Sequence, residues 1–526
     1  MHPPAESAGP RWPEILGAVS LACDRGMGLP LETGLATCLV ARRLAEALDL
    51  DDGQRLRVFR LSLLQHIGCT IENSELASIV GDELVMREHS AILDFTDQKA
   101  MFGFMLAHVA RANPLLGRPA ALLRAMAGGK RILASAADVC EAGQMLGHRC
   151  GYAAEELTDL ATVYENWDGT GVPAGVPGEE IPVPVRVVQV ASLAVNGERL
   201  LGPDAAEELL RVRRGRTHAP AVVDAFLGDP ARWEPLRAPG SRWDEVMAAE
   251  PVASAPPSPD DIDRALAALG DFADAKSSYL LGHSSAVAEL AGTAARIYGL
   301  GPEDVLLVRR AGWVHDVGRV AVSARVWNAQ APLSPDDQEQ VRLHPYYTGQ
   351  VLTRSPFLTT LADVASAHHE RLDGGGYHRG LTGSVLTPAA RLLAAADTCR
   401  TKLEARPHRP ALTLEAAAEH LRQEVAQGRL DPAAVDAVLE AAGLATEPEH
   451  PHLTAREVEI LAVAARGGSM REIARELSIS PKTVDGHLQR IYPKIGVSTR
   501  GGAALYAVER GLLAGPRPRR KGENSP

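Results

Sequence analysis

Residues 165–192, ENWDGTGVPAGVPGEEIPVPVRVVQVAS, align without a gap onto residues 370–397, ERLDGGGYHRGLTGSVLTPAARLLAAAD, and agree at eight of the 28 positions. The agreements include Asp168 with Asp373, Gly169 with Gly374, Gly171 with Gly376 and Arg186 with Arg391. A D-G-x-G turn leading into a helical run is a specific signature, and its recurrence marks two copies of one unit. Upstream, Leu64-Gln65-His66-Ile67-Gly68 parallels Val314-His315-Asp316-Val317-Gly318. The copies differ where chemistry would sit. Gln65-His66 stands opposite His315-Asp316, Val163-Tyr164 opposite His368-His369, and Ser192 opposite Asp397. The first copy reads as the fold without the site, suited to a structural or dimerising role.

Outward from the repeat, 526 residues exceed one hydrophobic core and suggest about three domains. Two Pro/Ala- and Pro/Glu-rich stretches read as linkers, 246–262 and 445–452. They leave copies at 14–245 and 263–444, a module at 453–515, and a basic tail at 516–526 expected to be disordered. A composition 45% hydrophobic, 23% charged and 4% aromatic predicts an all-α, helix-dominated globular protein. No apolar run reaches the roughly 18–20 residues of a membrane span, so no membrane partner is expected. The polar, Pro-rich N-terminus lacks a secretory pattern. Six cysteines without a C-x-x-C pair point to a reducing, cytoplasmic setting and away from disulfides or thiolate zinc. The chain carries a net −11, yet from Leu453 onward 13 Lys/Arg meet 7 Asp/Glu, leaving the rest at −17. A basic module on an acidic body suggests nucleic-acid binding at the C-terminal end.

Within that module, Thr454-Ala455-Arg456-Glu457 and Ser469-Met470-Arg471-Glu472 are capping boxes, each satisfying orphan amides at a helix start. Ser480-Pro481 supplies a third start, a hydroxyl N-cap followed by proline at the first helical position. The third helix carries Val484, Leu488, Ile491 and Ile495 as one buried stripe. Its other face presents Lys482, Thr483, His487, Gln489 and Arg490, with Lys494 further along, a surface suited to the major groove of double-stranded DNA. Periodicity alone fits a small helical bundle with a solvated charged face equally well.

The run over residues 453–513 closely resembles the LuxR-type helix-turn-helix. The resemblance rests on its L-T-x-R-E opening, its E-I-A…S-x-x-T-V turn and its K-I-G-V-S-T-R exit. It implies a four-helix DNA-binding domain whose fourth helix, over residues 499–512, mediates dimerisation, and hence a homodimer. Gly468 departs from the family, where an apolar residue is usual, and Pro493 falls in the last turn of the recognition helix. Its missing backbone bond is expected to shorten that helix.

In the second copy His283, His315-Asp316, His344, His368-His369 and Asp397 recur in order over 115 residues of helical sequence. Imidazole plus carboxylate without thiolate is a ligand set for Fe, Mn or Zn. Two such ions bridging a hydroxide can brace a phosphodiester oxygen. Taken singly, a His-Asp dipeptide is more often a hydrogen-bonded pair of no special role.

The ordered set resembles the HD-GYP family of metal-dependent phosphohydrolases across residues 274–443, through DAKSSYLLGHS, VHDVGR, HPYYTG, HHERLDGGGYHRG, AAADT and RPHRPAL. The resemblance implies a helical domain that binds metals and opens cyclic di-GMP, with His283, His315, Asp316, His344, His368, His369 and Asp397 as ligands. Asp316 would bridge, and His344 with the paired histidines would serve the second metal. Asp316 and Arg319 carry over as the groups at the reacting centre. Arg319 replaces the usual lysine, keeping the charge as a planar fork. His378 replaces the proline of the G-Y-P signature, and Arg400 stands where a second acidic residue is common. Tyr279 takes the place of a third-metal carboxylate, so two divalent ions are expected at most.

The fold expected is therefore all-α, two HD-GYP-like helical domains followed by a four-helix LuxR-type helix-turn-helix domain. Three functions follow. One is a DNA-binding regulator whose body senses or hydrolyses a phosphorylated ligand such as a cyclic dinucleotide. The second is chiefly a phosphodiesterase with the helix-turn-helix as tether or dimeriser. In the third, both copies are inert dimerising scaffolds.

Overall fold

Side-chain caps set many of the helix starts. Ser241, Ser258, Ser334, Thr387, Thr413, Thr454, Ser469, Ser480 and Thr499 each accept a backbone N–H bond at a helix start. Such a cap contributes about 1 kcal/mol by satisfying an otherwise orphaned amide. The computed structural model describes residues 9–109, 123, 135–444 and 453–513. Among these the regular elements are helices, with three isolated bridges and no sheet, so the fold is all-α.

The described residues form two compact units. One comprises residues up to 276 together with 317–327 and 347–360, and the other comprises 277–316, 328–346 and 361 onward. In the first, Thr33–Ala47, Asp52–Leu64 and Val183–Leu201 pack on one another around Leu35, Phe59 and Val187. In the second, His283–Tyr298, Pro302–Val314, Pro388–Leu403 and Pro432–Leu444 pack around Val287, Val314 and Leu392. Equivalent helices start at one constant offset, Thr33 to His283 and Asp52 to Pro302. The repeat thus extends beyond the stretches that align by eye, and it puts Thr33 where the second copy has His283.

The D-G-x-G turns are built alike. Glu165 accepts the amides of Ala174 and Val176 at 2.8 and 3.0 Å, and Glu370 accepts those of Arg379 and Leu381, both at 2.8 Å. Gly169 and Gly374 hold φ of 76° and 78°, where a side chain is strained. A Cβ on Gly171 would lie 2.2 Å from the Asn166 amide nitrogen, and one on Gly376 would lie 2.5 Å from that of Arg371. The glycines recur because the backbone passes too close for anything larger.

Three expectations need correction. The compact units do not follow the sequence repeat, because 263–276, 317–327 and 347–360 are bonded into the first unit. Thr70 donates to the Phe272 carbonyl at 2.7 Å, Arg149 pairs with Asp271 at 2.5 Å, and Arg25 donates to Gln350 at 2.7 Å. Secondly, the linker 246–262 is shorter than read, since Arg242–Ala248 and Pro259–Asp274 are helical at its two ends. The Ser258–Asp261 capping box sets the second of these starts. Thirdly, Pro493 does not shorten its helix, which runs Pro481–Ile495 and ends on Gly496 at φ 70°. In the last turn a proline deprives a single carbonyl of its partner, which water can satisfy. The second linker, 445–452, and the basic tail, 516–526, lie outside the described residues.

The C-terminal module comprises Ala455–Ala465, Met470–Glu476, Pro481–Ile495 and Arg500–Glu509. Val484, Leu488, Ile491 and Ile495 are all buried, meeting Ile460, Leu461, Ile473 and Ala507 in its core.

Candidate metal centre and nucleic-acid interface

The seven residues of the ordered set come together in the second unit as two clusters. His283, His315, Asp316 and Asp397 form one, and His344, His368 and His369 the other, with donor atoms in each lying within 4.8 Å of one another. They come from several separate places in the helical scaffold: His283 opens a helix behind Gly282, His315-Asp316 follow Pro302–Val314, His344 opens another helix, and Asp397 lies within Pro388–Leu403.

Asp316 links the clusters. Its Oδ2 lies 3.3 Å from His283 Nε2 and 2.9 Å from His315 Nε2, while Oδ1 lies 3.2 Å from His344 Nε2 and 3.4 Å from His368 Nε2. Asp397 Oδ1 lies 3.2 Å from His283 Nε2 and accepts the Thr401 hydroxyl at 3.2 Å.

The outward nitrogens show which tautomers the chain prepares. His315 Nδ1 meets the Gly312 carbonyl at 2.8 Å, His368 Nδ1 the Ala365 carbonyl at 2.6 Å, and His344 Nδ1 the Val341 carbonyl. His283 Nδ1 meets the Glu404 carboxylate at 2.8 Å. Carbonyls and carboxylates only accept, so Nδ1 carries the proton in all four and Nε2 points inward. This arrangement presents imidazole lone pairs to a cation while fixing each ring's orientation. The donor set fits a pair of divalent metals.

Electrostatics differ between the clusters. Burial pulls the His283 imidazole down, but Glu404, Asp316 and Asp397 outweigh it and hold it well above its ordinary value. His315 is likewise opposed by burial yet pushed up to about 9 by Asp316 and Asp397. Burial drives His368 down to about 4, and His369 well below its ordinary value. The carboxylate-rich cluster therefore holds protons that a cation would displace, and the paired histidines of the other are already neutral.

Glu404 escaped the sequence reading. Burial opposes its ionisation, yet His283, Arg400 and Arg406 hold its carboxyl at about 2. Arg400, the apparent departure, donates to Glu404 at 3.3 Å, and Arg406 donates at 3.0 Å. The one available signal was spacing, since Glu404 follows Asp397 by two helical turns. Arg319 lies in the first unit, its guanidinium 5.3 Å from the Trp327 ring centroid.

At the corresponding place in the first copy, Cys69 Sγ lies 3.0 Å from the Tyr164 hydroxyl and 3.8 Å from His66 Nδ1. Arg87 donates to the Cys69 carbonyl at 2.8 Å and to Glu72 at 2.7 Å. Burial, with Arg87 nearby, takes His66 down to about 4. Among the described residues both clusters with metal-ligand geometry belong to the second copy.

On the C-terminal module Lys482, Thr483, Gln489 and Arg490 are exposed and His487 is half-buried. Lys494 is exposed too, but its ammonium pairs with both oxygens of Glu457 at 2.7 and 2.8 Å, tying the recognition helix to the first capping box.

Residues 268–434 match the HD domain family, and residues 451–507 match the luxR family of bacterial regulatory proteins. The chain thus joins an HD domain to a C-terminal LuxR-type helix-turn-helix domain, and it is homologous to HD-GYP phosphodiesterases of cGAMP. The 3'3'-cGAMP-specific phosphodiesterase 3 of Vibrio cholerae is 25% identical over 438 residues, covering 82% of this chain and 94% of that protein. The cyclic di-GMP phosphodiesterase response regulator RpfG of Xanthomonas campestris pv. campestris is 36% identical over 177 residues. That match covers 33% of this chain and less than half, 46%, of RpfG. A crystal structure of a cyclic GMP-AMP-specific phosphodiesterase from V. cholerae superimposes with a TM-score of 0.56 at 22% identity, over 83% of this chain and 98% of that one. That likeness is one of fold. Among the described residues, no helix is long and apolar enough to cross a membrane.

Proposed function

We propose that this protein is a cytoplasmic DNA-binding regulator whose HD domain holds two divalent ions, Fe, Mn or Zn, and hydrolyses a cyclic dinucleotide. The observation that carries the reading is Asp316, one buried carboxylate with an oxygen on each ligand cluster. The names of the V. cholerae and Xanthomonas relatives favour a cyclic dinucleotide as substrate class.

His283, His315, Asp316 and Asp397 would hold one ion, and His344, His368 and His369 with Asp316 the other. When bound, such a pair supplies Lewis-acid polarisation of a phosphoryl oxygen and a hydroxide at neutral pH. The chain's own groups orient and exclude. Glu404 and the three backbone carbonyls fix the imidazole rings. Arg319 offers two parallel N–H donors to a phosphate. Burial of the ligand residues keeps competing water out. Lys482, Thr483, His487, Gln489 and Arg490 would contact DNA as a homodimer formed through Arg500–Glu509. Regulation requires that the ligand favour one arrangement of the DNA-binding domains.

The test is metal analysis of purified protein followed by incubation with 3'3'-cGAMP and cyclic di-GMP. Stoichiometric metal with a linear dinucleotide product supports the reading. Metal without turnover makes the body a sensor, and absence of metal ends both. Turnover without DNA binding leaves a phosphodiesterase with a helix-turn-helix tether.

A further inference from the structure

The first copy lacks ligands, yet one of its buried carboxylates is tied to the stretch that follows the second copy's His-Asp pair. Glu83 and Lys276 are both fully buried and pair at 2.8 Å. Glu83 also accepts the Ser323 hydroxyl at 2.7 Å and the Ala324 amide at 2.8 Å. Lys276 donates a second bond, to the Val320 carbonyl at 3.0 Å. The pair therefore holds Val320 in the 3₁₀ turn Val317–Ala321 and the two residues Ser323 and Ala324 just after that turn, whose first residue follows Asp316 and whose third is Arg319. The same turn is steadied by the Gly318 amide donating to Thr348 at 3.0 Å and by the Trp327 indole donating to the Arg319 carbonyl at 3.2 Å.

Three features separate this from an ordinary buried ion pair. Taking two charges out of water costs several kcal/mol per ion, so a buried pair is a poor device for stability alone. The pair's further bonds go to one short stretch, one from Lys276 to Val320 inside the turn and two from Glu83 to Ser323 and Ala324 just after it. That stretch begins directly after Arg319, the arginine to which the proposed function gives the phosphate. We infer that Glu83 is a positioning residue, contributed by the ligand-free copy, that together with Lys276 fixes the Val320–Ala324 segment at the end of the turn and through it the guanidinium of Arg319. The inference rests on the proposed hydrolase reading for its catalytic consequence, but not for the clamp itself. It gives the first copy a role that neither dimerisation nor general scaffolding supplies.

The experiment compares full-length wild type with the double variant Glu83→Met/Lys276→Met, which leaves no stranded buried charge. The single variant Glu83→Gln and the core variant Phe226→Ala, a first-copy cavity remote in sequence from the turn, serve as controls. Each is read for metal content, for amide exchange across residues 318–324, and for kcat and KM on 3'3'-cGAMP and cyclic di-GMP. The clamp predicts a folded, metal-replete double variant with fast exchange at Ser323 and Ala324 and kcat/KM down about 10- to 100-fold, as expected for a misplaced orienting group. Glu83→Gln should fall in the same direction, and Phe226→Ala should lose stability without this local exchange or the same drop in kcat/KM. Unchanged protection of the turn in the double variant overturns the clamp. Lost protection with unchanged kcat/KM overturns the positioning role. Lost protection in a protein whose wild type turns over neither nucleotide supports the clamp and counts against the hydrolase reading.

Discussion

The two copies share a scaffold and differ in where their polar groups point. In each, a buried glutamate, Glu165 or Glu370, takes two backbone amides and closes a turn that only glycine can follow. Around that turn the second copy aims imidazoles and carboxylates at two common points. The first copy satisfies its groups against each other, Cys69 on Tyr164 and Arg87 on Glu72. Scaffold and site are thus separable layers, because the glutamate that builds the turn bonds to backbone and supplies no ligand. A fold can keep its turns, glycines and helix starts after its chemistry has gone.

The largest effect expected concerns Asp316 and its counterpart His66. Asp316→Ala should strip metal to background by mass spectrometry and cut turnover of a cyclic dinucleotide by at least about 100-fold. His66→Ala should change neither, lowering only the melting temperature. If His66→Ala costs metal, the layers are not separable.

Next comes Glu404, which belongs to the ligand-bearing copy. Glu404→Gln should weaken metal binding about 10- to 100-fold in competition with a chelator, as loss of an imidazole's outer partner commonly does. Affinity within twofold of wild type would remove Glu404 from the centre. The scaffold layer is addressed by Gly171→Ala and Gly376→Ala, whose methyl groups would sit at 2.2 and 2.5 Å from backbone nitrogens. Each should lose about 1–3 kcal/mol in denaturant titration, and clearly unequal losses would break the equivalence of the turns.

The smallest effects extend the contrast between inward and outward groups to the DNA-binding module. Lys482→Ala and Arg490→Ala should each reduce the salt slope of DNA binding by about 1. Lys494→Ala should reduce it less, since that ammonium already faces Glu457. The Lys494 bond, ahead of the Thr454 amide, holds Glu457 at about 2 against an ordinary 4.5. A folded value below the unfolded one gives stability that is complete above about pH 4.5 and lost as pH falls toward 2. Lys494→Ala should accordingly move the module's acid unfolding to higher pH, measured by circular dichroism.

What could be read from the chain was whatever repeats or is local. The D-G-x-G turns were legible because close backbone approach forces glycine at matching places. The capping boxes at Thr454 and Ser469 were legible because both partners lie within four residues. The seven metal-centre positions stood out as an ordered set of residue types that a helical core otherwise avoids. Thr33 as the counterpart of His283 was not legible, since the helices around both are Ala- and Leu-rich and align at almost any register. Glu404 was hidden because its importance depends on leaving a helix end toward His283, 121 positions away. Glu83 was hidden for the same reason at greater range, 240 positions from Ser323. Pro493 was misjudged because proline's penalty depends on how many turns remain after it.

The thiol–phenol contact in the first copy makes its loss of ligands hard to undo. Thr33, Gln65, His66, Val163, Tyr164 and Ser192 stand where the second copy has six of its seven ligand positions, too many to restore at once. An aspartate alone at position 66 would be a buried charge beside Cys69 with no imidazole to answer it, at a cost of several kcal/mol. A histidine alone at position 164 would take away the hydroxyl that Cys69 now meets. Either step taken alone costs stability and leaves the ligand set incomplete. Divergence here works as a ratchet, and selection acting one substitution at a time holds the ligand-free copy in its present role.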